Sequence, residues 1–145
     1  MRMESLRVIW VDLYVDGRQS LCVLLAEDGS VNRLGTGTVN NAEQTFCIGL
    51  TDEPLFAQLR DKVNPEWIAL QGAYDVPEKR GSICELTIVF KHADGQENSF
   101  RFRYGSESQG PPSDICQFVI DAVRLTNPWY KQQQLLGNGP TMKGS

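Results

Sequence analysis

Short apolar runs alternate with turn residues along much of the chain, a pattern typical of hairpin strands. The dipeptide Asp-Gly occurs three times, in "YVDGR", "AEDGS" and "HADGQ", each time between runs rich in Val, Leu, Ile and aromatic residues. Asp-Gly in that setting is the strongest short-range signal for a β-hairpin. The sequence therefore predicts a three-stranded meander and a separate, later hairpin. The meander strands are expected near residues 6–15, 19–27 and 30–35, and the later hairpin within residues 83–104.

The charge pattern of the third hairpin decides the length of its loop. A three-residue loop ending at Gly95 sorts charged and apolar residues onto opposite faces, whereas a two-residue loop places Ile88 opposite Arg101. Because a one-residue slip turns the whole apolar set toward water, we predict the three-residue loop, with Gly95 at positive φ. The expected pairs are Lys91 with Glu97, Glu85 with Arg103, Ile88 with Phe100 and Leu86 with Phe102. The same loop in the first two hairpins pairs Val11 with Leu21, Ile9 with Val23, Leu25 with Val31, Trp10 with Cys22 and Cys22 with Leu34.

Capping residues and helix breakers mark two helices. The segment "TDEPLFAQLRDKVNP" offers Thr51 or Asp52 as an N-cap, has acidic residues and a proline in its first turn, and stops at Asn-Pro. The segment "SDICQFVIDAVRLTNP" has Ser113 as its N-cap and apolar residues at helical spacing. This second helix is predicted to end before Pro128, because proline disfavours the helical conformation in the residue before it.

Together these elements predict an α+β fold, in which two helices pack on one face of an antiparallel sheet made of the three-stranded meander plus a second hairpin. The middle strand, "LCVLLA", is apolar on both faces, so both of its faces are expected to be covered. The stretch "EWIALQG" is a further candidate strand. One domain is expected over residues 1–130, followed by a disordered tail over residues 131–145.

Composition narrows the classes of function. The 145-residue chain has no apolar run near the ~20 residues that span a bilayer, and its opening "MRMESLRVIW" lacks the features of a signal peptide. Nucleic acids and anionic membranes are bound by basic protein surfaces, so the net charge of -4 disfavours binding to either of them. We therefore expect a cytoplasmic protein that binds neither nucleic acid nor membrane.

Residue types that carry chemistry are few and scattered. His92 is the only histidine and flanks a hairpin turn, where a rigid catalytic orientation is hard to supply. The four cysteines are widely spaced among apolar neighbours, which favours reduced core residues over a disulfide framework or a zinc site. Asp12, Glu85 and Glu97 lie on strands with ion-pair partners or solvent at hand. No enzyme activity, metal or cofactor is predicted.

Two polar loops and one pair of aromatic residues remain as candidate binding sites. Binding residues concentrate in loops on a rigid scaffold, which singles out residues 35–45 and 72–82. Two large aromatic residues follow Pro128, and such side chains are enriched at binding hot spots, although packing over the edge of the core is the favoured interpretation. The candidate binding residues are Thr36, Thr38, Asn40, Asn41, Tyr74, Asp75, Lys79, Arg80, Trp129 and Tyr130.

The order of elements resembles one known family. The segments "YDVP", "LTIVFKHADGQENSFRFRYG" and "PPSDICQFVIDAV" look like parts of the small bacterial proteins of the emfourin type, which are inhibitors of M4-family metalloproteases. The resemblance spans about residues 70–126 and concerns the order of elements alone, since no inhibitory residue maps onto this chain.

Four possible functions follow. The leading hypothesis is a non-catalytic interaction or regulatory module, whose partner is an unidentified protein or a second copy of the chain, because the two polar loops and the doubly apolar strand lack a structural explanation. The alternative is a small-ligand-binding protein with a pocket between helix and sheet. A protease-inhibitor-like protein, by element order only, and an enzyme rank below these.

Overall fold

One seven-stranded sheet forms the centre of the structure, a computed structural model that describes residues 1–36 and 45–136. Its strands are β1 (Leu6–Val15), β2 (Arg18–Ala26), β3 (Ser30–Leu34), β4 (Cys47–Leu50), β5 (Gly72–Asp75), β6 (Ile83–His92) and β7 (Glu97–Gly105). The helices are α1 (Leu55–Arg60) and α2 (Ser113–Leu136), with short 3₁₀ helices at Met3–Ser5 and Pro65–Leu70.

The strand order is β4-β3-β2-β1-β6-β7-β5, and each neighbouring pair is antiparallel except β5 and β7, which are parallel. The α+β prediction is therefore confirmed, but the predicted arrangement of the sheet was incomplete. The meander and the later hairpin join through β1 and β6, and β4 and β5 add two strands to the five of the predicted sheet. The extra parallel pair makes the sheet mixed rather than purely antiparallel.

Two of the three predicted hairpin registers are confirmed. In the third hairpin Lys91 pairs with Glu97 and Ile88 with Phe100, and Gly95 has a φ of 88° at the end of a three-residue loop. In the second hairpin Leu25 pairs with Val31, as expected. Both loops close with a glycine at positive φ because a side chain is disfavoured in that conformation.

The predicted register of the first hairpin was wrong by two residues. Its loop has two residues, Asp16 and Gly17, both at positive φ as a type I′ turn requires. A bulge at Ser20 then shifts the ladder, so that Leu21 pairs with Leu13 rather than with Val11. The predicted pairings of Ile9 with Val23 and of Trp10 with Cys22 are replaced in the same way by Ile9 with Leu25 and Trp10 with Leu24.

Both α-helices pack on one face of the sheet. That face carries the alternate apolar residues of β1, β2 and β6, and the helices add Leu59, Ile115 and Phe118 to the same core. Phe118 lies edge-on to Trp67, with a centroid distance of 5.4 Å, and to Phe90, at 6.0 Å. On the opposite face lie the other strand residues, which no helix of the described chain covers.

Helix α2 continues through Pro128, so the prediction that it ends before this proline was wrong. A proline inside a helix removes one hydrogen bond and costs ~3 kcal/mol. Buried contacts beyond the proline offset that cost, because Trp129 and Tyr130 are buried and Trp129 Nε1 donates to Leu50 O of β4 at 3.1 Å. Residues 131–136, predicted to begin a disordered tail, are helical, while residues 137–145 lie outside the described residues.

The segment before β5 also differs from the sequence prediction. The stretch "EWIALQG" was a candidate strand, but most of it forms the 3₁₀ helix Pro65–Leu70. Asn64 Oδ1 caps this helix by accepting a hydrogen bond from Glu66 N at 3.0 Å. Trp67 Nε1 donates to Asp114 Oδ2 at 2.8 Å, which ties the segment to the start of α2. None of the described helices is both long and apolar enough to cross a lipid bilayer.

Candidate functional site at the free edge of β5

The strand β5 lies at the end of the sheet and is exposed along its whole length. It pairs with β7 through Ala73 with Arg101, Tyr74 with Phe102 and Asp75 with Arg103. The Tyr74 ring stacks on the Phe102 ring at 5.2 Å, and the Tyr74 hydroxyl donates to Leu70 O at 2.8 Å. These contacts hold a strand of four residues in place although it has a neighbour on one side only.

Half of the backbone groups of β5 point away from the sheet. Val76 N donates to Arg103 O at 3.0 Å, so Gly72, Tyr74 and Val76 face β7 in the alternating pattern of a parallel ladder. The N–H and C=O groups of Ala73 and Asp75 therefore point outward, and nothing in residues 1–36 or 45–136 hydrogen bonds them. As far as the described residues go, this edge is open to pairing with another strand.

A concave surface lies on each face of the sheet beside β5. On the helix side, a depression of ≈ 500 Å³ is lined mainly by apolar and aromatic residues, including Tyr74, Tyr104, Pro77 and Pro111. Burial raises the pKa of Tyr104, so its phenol stays neutral. On the open face, a depression of ≈ 390 Å³ is lined by residues of β1, β5, β6 and β7, among them Tyr14, Ala73, Asp75, Glu85, Thr87, Arg101 and Arg103.

Charged side chains surround the open-face depression. Asp75 forms ion pairs with Lys79 and, at 3.7 Å, with Arg103 Nη1, and Arg103 Nε lies 3.4 Å from Glu85 Oε2. The hydrogen bond from Lys79 lowers the pKa of Asp75, and the charges of Lys79 and Arg103 lower it further. Arg101 has no acidic partner among the described residues. One positive charge beside β5 is thus uncompensated.

The structure brings three predicted site residues together at this edge, namely Tyr74, Asp75 and Lys79. The segment was expected to be a loop, but its first four residues form β5 instead. Lys79 also donates to Val76 O at 2.6 Å, which fixes the turn after the strand. Arg80 lies in the following turn and is exposed, and its carbonyl accepts a hydrogen bond from Glu107 N.

The other predicted site residues lie at the opposite edge or outside the described residues. Trp129 and Tyr130 are only 7% and 4% exposed, and they bond the chain near β4 through Leu50 O and Thr45 O. Their burial supports the interpretation that they pack over the core. Thr36 is exposed at the end of the described segment. Thr38, Asn40 and Asn41 lie outside the described residues.

Sequence reasoning missed a fully buried arginine, Arg33. Its guanidinium donates twice to Gly35 O and also to Thr126 Oγ1 and Asn127 Oδ1, and it lies 4.5 Å from the centre of the Tyr130 ring. Burial lowers the pKa of Arg33 to about 10. The register of the second hairpin, which was predicted correctly, places this residue on the same face as Val31 and could have identified it as a core position.

The interpretation of Asp12 was also wrong. Asp12 was expected to have an ion-pair partner or solvent, but it is only 8% exposed and accepts a hydrogen bond from Gln19 Nε2 at 2.7 Å. Burial raises its pKa. The residue lies on the open face beside Cys22, a thiol whose pKa is raised by burial to about 11.

The residues considered for catalysis have structural contacts. Both ring nitrogens of His92 are bound, Nδ1 to Ser5 Oγ at 2.7 Å and Nε2 to Asn98 Oδ1 at 2.6 Å. Burial raises the pKa of Cys47, so its thiol is not activated as a nucleophile. All four cysteines, which fall within the described part of the chain, are free thiols. Residues 1–36 and 45–136 contain no cluster of three or more potential metal ligands.

Comparison with known proteins adds no relative. No family model, no curated protein and no solved structure matches the chain.

Proposed function

We propose that this protein is a non-catalytic interaction module that binds a protein partner along the free edge of β5. The observation that carries the proposal is the pair of outward-facing residues, Ala73 and Asp75, whose backbone groups have no partner in the described chain. Exposed strand edges pair readily with other chains, and natural proteins usually cover them when no pairing is wanted.

The surroundings of the edge support the same proposal. A strand added to β5 would place its side chains alternately over the apolar depression on the helix side and over the charged depression on the open face. Main-chain hydrogen bonds then provide affinity, and the two depressions provide selectivity. We also keep the cytoplasm as the proposed compartment, because four free thiols are typical of a reducing environment.

A small ligand is the second candidate. The depression beside Tyr74 has a volume of ≈ 500 Å³, which falls in the range of ligand sites, and lies between β5 and the segment that leads into α2. A ligand there would contact the Tyr74 and Tyr104 rings without using the strand edge.

Site-specific photocrosslinking tests the proposal and separates the two candidates. A photoreactive phenylalanine analogue at position 73 should give a covalent product with a protein, in cells that naturally contain this chain. The same analogue at Ile120, an exposed position on α2, is the control and should give none. The same analogue at position 74, whose side chain faces the helix-side depression, tests the second candidate: a mass increase below about 1 kDa there would favour the small ligand. Equal labelling at positions 73 and 120, or none at position 73, would contradict the proposed function.

The backbone contribution can be tested separately. Ala73→Pro removes the outward N–H and should abolish the crosslink from a second analogue at position 74, whereas Ala73→Ser keeps the N–H and should preserve it. Thermal melting of both variants is measured first, so that a loss of folding is recognised.

A further inference from the structure

We infer that the protein which pairs with β5 is a second copy of the same chain, so that two seven-stranded sheets join into one continuous sheet. This inference rests on the proposed function, since it uses the same edge, and it names the partner.

The backbone of β5 is complementary to itself. A two-fold axis perpendicular to the sheet would place two β5 strands antiparallel with the same faces aligned. In an antiparallel ladder, hydrogen bonds form where the outward groups of both strands lie opposite each other. Ala73 and Asp75 are the outward residues, so Ala73 of one copy lies opposite Asp75 of the other, and the reverse. Each of these two pairs exchanges two bonds, and all outward N–H and C=O groups of the two residues are satisfied.

The same register supplies the carboxylate that Arg101 lacks. Arg101 of β7 pairs with Ala73 of β5, and Ala73 would pair with Asp75 of the second copy. These three side chains would therefore lie side by side across three neighbouring strands on the open face. The Cα atoms of Arg101 and of this Asp75 would then be two strand spacings apart, about 10 Å. A long arginine side chain can cross the methyl group of Ala73 over that distance. The two-fold axis repeats the contact, so both Arg101 residues gain an acidic neighbour.

On the helix side, the axis passes between the two copies of Tyr74. This side chain is 41% exposed although its ring is stacked on Phe102. It would form a pair without hydrogen bonds with Tyr74 of the second copy, in which Cα atoms approach to about 4.5 Å and side chains meet most closely. Aromatic cross-strand pairs of this kind are stabilising.

The other edge of the sheet is less suited to such pairing. At β4, Trp129 Nε1 donates to Leu50 O at 3.1 Å, so the side chain of α2 already uses one carbonyl of that edge. The exposed side chains of β4 are Ile48 and Leu50, which offer no charge to select a partner. We therefore assign the contact to β5.

Sedimentation velocity over a wide range of concentrations tests the inference. The contact between two four-residue strands is small, so we expect a weak dimer with a Kd on the order of 10–100 µM. Arg101→Asp should weaken self-association at least about tenfold, because it places two carboxylates next to each other across the axis. Lys91→Asp is the matched control: it makes the same change in net charge on the same face of the sheet, away from the β5 edge, and should leave the dimer intact.

A charge exchange provides a second and stricter measurement. Asp75→Arg should also weaken the dimer, but an equimolar mixture of Asp75→Arg and Arg101→Asp should recover it as a heterodimer, because both contacts are then between opposite charges. In the parent, amide hydrogen exchange at Ala73 and Asp75 should slow with rising protein concentration. Exchange at the Tyr74 amide should stay constant, since its N–H already faces β7. In each variant, protection of this amide also shows whether β5 remains paired with β7.

Three results would overturn the inference: a parent protein that stays monomeric at about 0.5 mM, equal effects of Arg101→Asp and Lys91→Asp, or no recovery in a mixture whose Tyr74 amides remain protected. These outcomes are distinguishable from failure of the proposed function. If the protein is monomeric but a crosslinker at position 73 captures a different protein, the second copy is the wrong partner and the edge is still the binding site. If position 73 captures nothing, both proposals fail.

Discussion

Replacing Tyr130 by phenylalanine removes one oxygen atom that ties two distant parts of the chain to α2. The Tyr130 hydroxyl accepts a hydrogen bond from Gly35 N at 3.0 Å and donates one to Thr45 O at 2.5 Å. Phenylalanine keeps the ring that lies over the Arg33 guanidinium. The substitution therefore isolates the hydroxyl from the rest of the packing.

The expected loss of stability follows from what is left unpaired. Gly35 is buried, so its N–H would lose its partner where water cannot replace it, at a cost of about 1–3 kcal/mol. Thr45 is partly exposed and can bond water, so its carbonyl contributes less, about 0.5–1.5 kcal/mol. The free energy of unfolding should fall by about 2–4 kcal/mol in total.

Urea unfolding measures this loss directly. With a slope of ~2 kcal/mol per molar urea, the midpoint should fall by about 1–2 M with the slope unchanged. Tyr14→Phe is the matched control, because Tyr14 is 38% exposed and its hydroxyl makes no hydrogen bond to the described chain. If Tyr130→Phe shifts the midpoint no more than Tyr14→Phe does, the two hydrogen bonds of the Tyr130 hydroxyl do not stabilise the fold.

Three further predictions concern the core, a turn and a buried carboxyl. Phe118→Ala should lower the free energy of unfolding by about 3–5 kcal/mol, because it leaves a cavity between ring contacts, and a loss below 1 kcal/mol in urea unfolding would contradict this. Gly95→Ala should cost about 1 kcal/mol from its φ of 88° alone, since a Cβ there meets no atom within 4 Å; an unchanged midpoint would contradict the strain argument. Asp12→Asn should stabilise the protein at neutral pH: burial raises the folded-state pKa above 3.8, so the parent loses stability as pH rises above that value. The advantage of the variant in thermal melting should shrink toward pH 3, and an advantage that grows on acidification would show the sign to be wrong.

The hairpins show that the hydrophobic pattern of a sequence determines the face on which each strand residue lies, but not always the register of the strands. Alternation fixes which residues share a face, and the third hairpin added opposite charges that excluded a one-residue slip. The first hairpin was misjudged because two registers that differ by two residues leave the same residues on each face. Only the turn and the bulge at Ser20 distinguish them, and both loop lengths suit Asp-Gly.

The site could be found only in part. Tyr74, Asp75 and Lys79 were chosen as residues of a polar loop, but the strand they belong to was not foreseen, because "GAYD" has no apolar alternation of its own. Its strand conformation depends on the available edge of β7, which is about 30 residues away in sequence. The continuation of α2 past Pro128 has a similar origin, since contacts with β4 outweigh the local preference.

The position of β1 in the middle of the sheet has a consequence for how the chain folds as it is synthesised. As the chain leaves the ribosome, β1 pairs with β2 at once, but its other neighbour, β6, follows only about 70 residues later. At about 5–20 residues per second, one side of an apolar strand waits unpaired for several seconds. Closing that long loop is also the slowest kind of contact to form, so we expect the meeting of β1 and β6 to limit the rate of folding. Until then β1 is an edge strand of the nascent meander, with one side unpaired, although it becomes the central strand of the folded sheet.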